Sequence, residues 1–289
     1  EAASYIAQGF ELGVHARNHV EDKNCRNFDS FAQLSDNYDE DLRAFKLAFP
    51  NVPPQKTHRY HCIIWNDWLT QAKVELAKGM RFSMDYYYWR LSWNGKTLTP
   101  GLFTGSGIPM RFADLDGTVV DVYQGVSHLV NETPLGYPGA INTMIDRAVG
   151  PEGYYGFFGT HDDYQESTFS DAVISAGVTR NVPVISALQA LTWLDGRNSS
   201  SFQDLAWNGN TLNFSISVGS GARNLQAMLP LASVSNELSS ISHNGAAVPF
   251  TEQTIKGVRY AFFAAGEGAY QAVYNNPQQP PVAEGTTLW

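Results

Sequence analysis

The stretch that decides the interpretation of this chain is Gly9-Phe-Glu-Leu-Gly-Val-His-Ala-Arg-Asn-His19. An apolar run typical of a short strand ends at His15, and His19 follows four residues later. If this strand belongs to a β/α barrel, its carboxyl end brings both imidazoles close to one point, as a metal site requires. Because the spacing alone also arises by chance, two unrelated histidines at the surface or in the core remain the alternative.

Outward from this stretch, strand-like and helix-like segments alternate as far as residue 198. Strand patterns occupy residues 61–65, 81–89, 154–160 and 182–186, and helical patterns occupy 38–49, 66–79, 138–149, 168–177 and 187–194. Residues 110–123 resemble a hairpin that turns at Asp116 and Gly117. Such alternation predicts an α/β fold with a mainly parallel sheet, either open or closed into a barrel.

The pattern changes near Asn198. The segment Thr211-Leu-Asn-Phe-Ser-Ile-Ser217 alternates strictly, and Asn-Gly turns at residues 208–209 and 244–245 separate further short strands. Regularly spaced short strands predict an all-β sandwich. We therefore expect a β/α domain over residues 1–198, a β-sandwich accessory domain without catalytic residues over 199–275, and a Pro-rich linker over 276–289 that leads to further modules.

Composition excludes some partners and favours others. With 289 residues the chain is long enough for two domains, and its net charge of -9 argues against a nucleic-acid surface. It has no apolar stretch of about 18 residues that would span a membrane. Aromatic residues make up 13%, which is common in extracellular proteins that handle sugars. We expect a mature or truncated chain that is secreted or at the cell surface, with a polysaccharide as its partner.

Other polar residues have simpler expectations. His58 is expected at the surface. Cys25 and Cys62 fall near two neighbouring segments of the expected rim, where they form either a disulfide or two separate thiols.

Residues 9–19 resemble the second motif of the polysaccharide deacetylase (NodB-homology) family. In that family a Gly-His-Glu-Ile-Gly-like strand leads into His-Ser/Thr-x-x-His, whose histidines bind zinc or a related divalent metal. Here Phe10 replaces the first histidine and Ala16 replaces the Ser/Thr. The resemblance implies that His15 and His19 are metal ligands and that the cofactor is a divalent metal such as zinc.

Further motifs follow in the family's order. Arg59 resembles the arginine of the third motif, Asp85 and Trp89 resemble the fourth motif, and His161 resembles the general acid of the fifth. The proline that follows the motif's arginine is absent, and Gly159 replaces a leucine. The resemblance covers about residues 5–195, including 182–191 as a last strand and helix. It implies a distorted β/α barrel with Arg59, Asp85 and His161 in catalysis.

One motif of the family has no counterpart before His15. The family's first strand ends in Thr-Phe-Asp-Asp-Gly, which supplies the catalytic base and the third metal ligand. The nearest imitation, at residues 112–117, would require a permuted fold, and a hairpin turn explains it better. We therefore expect a chain that lacks the first strands of the barrel, binds metal poorly and is inactive as it stands.

The resemblance implies metal-assisted hydrolysis of N- or O-acetyl groups on an extracellular polysaccharide. His161 would protonate the leaving group, and His61, Tyr87 and Trp89 would contact the substrate. Two alternatives stay open. One is a glycoside hydrolase on a similar barrel that uses Asp85 and Asp162 as its two carboxylates. The other is a carbohydrate-binding or adhesion module without activity.

Overall fold

In the computed structural model the chain forms two compact units, Glu1–Leu191 and Thr192–Trp289. Several residues of interest lie outside the described residues: His19, Cys25, Cys62, Tyr87, Trp89 and the tail from residue 277. The structure describes residues 1–17, 30–61, 69–86, 108–131, 138–151, 153, 156–162 and 168–276.

Five parallel strands form the sheet of the first unit, and their order in the sheet is their order in the sequence. The strands are β1 (Val14–Ala16), β2 (Thr57–Tyr60), β3 (Phe82–Tyr86), β4 (Tyr123–Val130) and β5 (Gly159–His161). The helices are α1 (Ala2–Ala7), α2 (Phe31–Ala48), α3 (Thr70–Ala77), α4 (Gly139–Val149), α5 (Thr168–Thr179) and α6 (Ala187–Ser199), and the unit boundary falls inside α6. Sequential parallel strands with a helix after each of β1, β2 and β4 are typical of part of a β/α barrel, so the predicted fold class is confirmed for this unit.

Helix α2 covers one face of β1 and β2. It begins after Ser30, whose hydroxyl accepts a hydrogen bond from the Gln33 backbone N–H at 3.3 Å, and it ends shortly before Pro50. Its Leu34 and Tyr38 pack with the Val14 and Ala16 side chains of β1 in one apolar cluster. Because side chains alternate along a strand, His15 faces away from this helix.

Residues 182–186 form no strand, which corrects the expectation of a last strand there. The Val182 backbone N–H donates to the Gly177 carbonyl at 2.8 Å, so this residue closes the end of α5. Pro183 has no N–H to offer to a sheet. An apolar, β-branched segment therefore serves as a helix-to-helix connection.

Antiparallel sheets form the second unit, as the sequence predicts. The strands are β6 (Ser201–Asn208), β7 (Thr211–Ser217), β8 (Gln226–Pro230), β9 (Ala232–Ser233), β10 (Asn236–His243), β11 (Ala246–Val248), β12 (Phe250–Ile255), β13 (Val258–Ala264) and β14 (Gly268–Asn275). One sheet has the order β11-β10-β14-β7-β6 with β9 beside β10, and the other has the order β12-β13-β8.

The second unit has its own apolar core between these sheets. Leu212, Phe214 and Ile216 of β7 are buried while their neighbours are half-exposed, so the strict alternation of the sequence is confirmed as a one-sided strand. Asn244 and Gly245 both have positive φ angles, 49° and 84°, which the tight turn between β10 and β11 requires. Among the described residues, no helix is long and apolar enough to cross a membrane.

Candidate active site at the carboxyl ends of the first strands

The carboxyl ends of β1 and β2 lie side by side. His15 is level with Arg59 and Ala16 with Tyr60, and the His61 backbone N–H donates to the Ala16 carbonyl at 2.6 Å. Residues that are level on neighbouring strands point to the same face of a sheet. His15, Arg59 and His61 therefore share the face opposite to α2, at the edge where β/α proteins carry their active sites.

The carboxyl ends of β1 and β2 form a rim that carries His15, Arg59 and His61. The imidazoles of His15 and His61 are close enough to bind one ion. His15 Nε2 lies 3.4 Å from His61 Nδ1, and the ring planes are inclined by 80°. Zinc–nitrogen bonds of about 2.0–2.1 Å in tetrahedral geometry separate two ligand nitrogens by about 3.4 Å. The same distance also permits an N–H···N hydrogen bond, although it is longer than most. The described residues contain no third His, Cys, Asp or Glu in such a group.

Arg59 connects the rim to the next strand. Its Nη1 donates to the Met84 carbonyl on β3 at 2.9 Å, so the guanidinium crosses from β2 to β3 on the face of the histidine pair. Asp85, the next residue of β3, lies in the strand, and its side chain is outside the described part of the structure. Arg59 is therefore next to the backbone that carries Asp85, and the catalytic roles of Arg59 and Asp85 stay predictions.

His161 lies at the other edge of the sheet. It is the last residue of β5, and its carbonyl accepts from the Asn131 backbone N–H at 3.1 Å. Four interstrand steps of about 4.8 Å each separate β1 from β5 along the sheet. His161 would reach the His15 pair only through curvature of the sheet, so its role as the general acid stays a prediction.

Two residues of α2 hold the backbone that leaves β1. Asp41 Oδ2 accepts from the Arg17 N–H at 2.8 Å, and Asn37 Nδ2 donates to the Arg17 carbonyl at 3.0 Å. The Tyr60 hydroxyl, on β2, donates a hydrogen bond to Asn37 Oδ1. Both backbone groups of Arg17 are thus bound by buried side chains, which fixes where the strand ends and where His15 stands.

His58 is buried, which corrects the expectation that it lies at the surface. Only 4% of it is exposed, and its Nε2 lies 2.5 Å from the Tyr38 hydroxyl and 3.5 Å from Glu75 Oε1. Glu75 in turn accepts from the Gln71 and Gln124 amides at 2.9 and 3.1 Å. Burial lowers the pKa of His58 from 6.5 to about 3, helped by the positive charges of His15 and Arg59.

His58, Tyr38, Glu75, Gln71 and Gln124 form a buried polar cluster that supports the rim from the helix side of the sheet. His58 lies on the helix side of β2, between α2 and α3, whereas its neighbour Arg59 lies on the rim side. The sequence signal for this position was its alternation with Tyr60, a residue of the apolar cluster on the same face. With a pKa of about 3, His58 is neutral at neutral pH and acts as a hydrogen-bonding part of the interior.

Comparisons with known proteins give one distant likeness. No family model matches the chain, and no curated protein does. A crystal structure of an alpha-L-fucosidase GH29 from Bacteroides thetaiotaomicron is similar at 12% identity and a TM-score of 0.24, over 88% of this chain and 64% of that one. The chain thus spans less than two thirds of the length of the protein it matches. A TM-score this low assigns neither a family nor an activity.

Proposed function

We propose that this protein is a carbohydrate-active hydrolase with its site at the carboxyl ends of β1 and β2. The reaction is metal-assisted removal of acetyl groups from an extracellular polysaccharide. The observation that supports this best is the distance of 3.4 Å between His15 Nε2 and His61 Nδ1. The motifs around His15, Arg59 and His161, and the aromatic composition of the chain, favour a glycan as the substrate.

His61 changes the metal-binding expectation drawn from the sequence. Catalytic zinc sites usually have three protein ligands and one open position for water. His15 and His61 supply two, and His19 is the candidate for the third because it follows His15 by four residues. With three imidazoles from the chain itself, the site would bind zinc without the carboxylate ligand that the family's first motif supplies.

The chain's own residues would share the remaining work. A bound metal supplies polarisation of the acetyl carbonyl and a lower pKa for its water. Arg59 would orient Asp85 as a general base that accepts a proton from the attacking water, and His161 would donate a proton to the leaving amine or alcohol. Tyr87 and Trp89, directly after β3, offer rings for the sugar faces.

Calorimetric titration with zinc tests the metal site. We expect one zinc per wild-type chain, and a loss of affinity of at least about 100-fold in His15→Ala and in His61→Ala, because each removes one of few ligands. His243→Ala in the second unit is the matched control and should bind like the wild type. Zinc binding that survives both rim substitutions would refute the site.

The reaction is tested by acetate release from acetylated xylan and acetylated chitooligosaccharides. Zinc-dependent release that falls at least about 100-fold in Asp85→Asn would support metal-assisted deacetylation with Asp85 as base. If the chain binds these glycans and releases neither acetate nor reducing ends, it is a binding module and the enzymatic proposal is wrong.

A glycoside hydrolase is the second candidate, on the observation that Asp162 directly follows β5 and Asp85 lies in β3. Two interstrand steps separate these strands, which amounts to roughly 10 Å and is close to the carboxylate separation of inverting glycosidases. This candidate predicts release of reducing ends with inverted configuration, insensitive to chelators. Both Asp85→Asn and Asp162→Asn should abolish that release.

A further inference from the structure

The second unit has a cavity of about 300 Å³ where α6 ends and β6 begins. None of the rim residues of the first unit takes part in it, so it is a separate feature of the molecule. The lining residues are Arg197, Asn198, Ser200, Ser201, Phe202, Ile216, Leu225, Gln226, Ala227 and Ala265.

Part of the cavity lining is polar and carries a positive charge. Arg197 Nη1 lies 3.4 Å from Asn198 Oδ1, and within the described part of the chain no carboxylate is in ion-pair distance of this guanidinium. By contrast, Arg259 pairs with Glu237 and Glu252, both at 2.7 Å. Arg197 therefore contributes a positive charge to the cavity that no carboxylate of the described residues neutralises.

Another part of the cavity lining is apolar. The Phe202 ring packs against Phe214 at a centroid distance of 5.4 Å and is still 40% exposed. Ile216, Leu225 and the small side chain of Ala227 also line the cavity. A ring with one apolar face can therefore lie against Phe202 while its polar substituents face Arg197.

We propose that this cavity binds a saccharide unit that carries a carboxylate, that is, a uronic acid in a polysaccharide. The guanidinium of Arg197 forms a bidentate pair with the carboxylate, which lysine could not reproduce. The amides of Asn198 and Gln226 both donate and accept hydrogen bonds, as sugar hydroxyls require. A volume of about 300 Å³ lies at the lower end of small-ligand sites and suits one or two sugar rings.

Calorimetric titration of the full chain with trigalacturonic acid tests this site, and the methyl-esterified trimer is the matched neutral probe. We expect the acid to bind at least about tenfold more tightly than the ester, because a charged hydrogen-bonded pair is lost in the ester. Arg197→Ala should weaken acid binding by a similar factor, and Phe202→Ala should weaken both ligands. Both side chains are exposed, so these variants should fold.

Arg223→Ala is the control of equal charge change, since Arg223 lies over the Trp193 ring and does not line the cavity. It should bind the acid like the wild type. Equal binding of acid and ester, no binding of either, or tighter binding of a peptide through its terminal carboxylate would each overturn the proposal. Failure of the rim as an enzyme would leave these results unchanged, because the two sites share no residue.

Discussion

Acidification should destabilise the first unit through His58. The pKa of His58 is about 3 in the folded protein against 6.5 when exposed, so between these values the unfolded chain binds a proton that the folded chain does not. The contribution of His58 to the free energy of unfolding is almost fully present above pH 6.5. Below that value the free energy of unfolding falls by about 1.4 kcal/mol for each pH unit. Between pH 7 and 4.5 the loss from this residue amounts to about 2.5 kcal/mol.

The pH range of this prediction ends at 4.5 because the paired carboxylates of the fold lose their contribution to stability only at lower pH. Asp121 pairs with Arg81 and Arg111, which lowers the pKa of that carboxyl below its ordinary value of 3.8. Carboxylates of this kind stabilise the fold above that value and lose their contribution only as the pH falls further. The loss between pH 7 and 4.5 therefore reports mainly on histidine.

Urea unfolding followed by hydrogen–deuterium exchange of peptides from β2 measures the first unit by itself. The pH dependence should disappear in His58→Gln, which cannot take up the proton, and should persist in His243→Gln, which alters the second unit. If wild-type and His58→Gln chains lose stability equally between pH 7 and 4.5, His58 is already protonated beside Glu75. The assignment of a neutral, buried imidazole would then be wrong.

Three further substitutions test the packing. Tyr38→Phe removes the hydroxyl that lies 2.5 Å from His58 and should lower the free energy of unfolding by about 1–3 kcal/mol in urea titrations; no change would contradict that hydrogen bond. Gly125→Ala would place a methyl 2.7 Å from Met84 Sδ and 3.1 Å from the Phe82 ring and should cost about 1–3 kcal/mol by thermal unfolding; an unchanged melting temperature would contradict this close packing. Phe263→Ala, at a residue 2% exposed, should cost about 3–5 kcal/mol in the second unit only; a loss in the first unit would contradict separate cores.

The parts of the fold that could be predicted are those with a local signal. The alternation of residues 211–217 and the Asn-Gly turn at 244–245 encode a one-sided strand and a tight reversal within a few residues. Residues 182–186 have the composition of a strand, but the Gly177 carbonyl in the last turn of α5 accepts the Val182 N–H and Pro183 has no N–H to donate. Composition alone could not show this competition between a helix end and a sheet.

The candidate site depends on contacts that are distant in the sequence. His15 and His61 are 46 residues apart and meet only because β1 and β2 pair in one particular register. His58 was expected at the surface, whereas it is buried between partners from two different helices, Tyr38 and Glu75. The meeting of His15 and His61 follows from the register of two strands and leaves no local pattern, whereas the burial of His58 had one local sign, its alternation with the buried Tyr60.

X-ray absorption at the zinc edge of the zinc-loaded chain, compared with its His61→Ala variant, would decide whether the rim is a metal site. We expect three imidazole nitrogens at about 2.0–2.1 Å in the wild type, and one imidazole fewer with a weaker bound zinc in the variant. A shell made mainly of oxygen, or a spectrum unchanged by His61→Ala, would contradict a zinc site formed by His15 and His61.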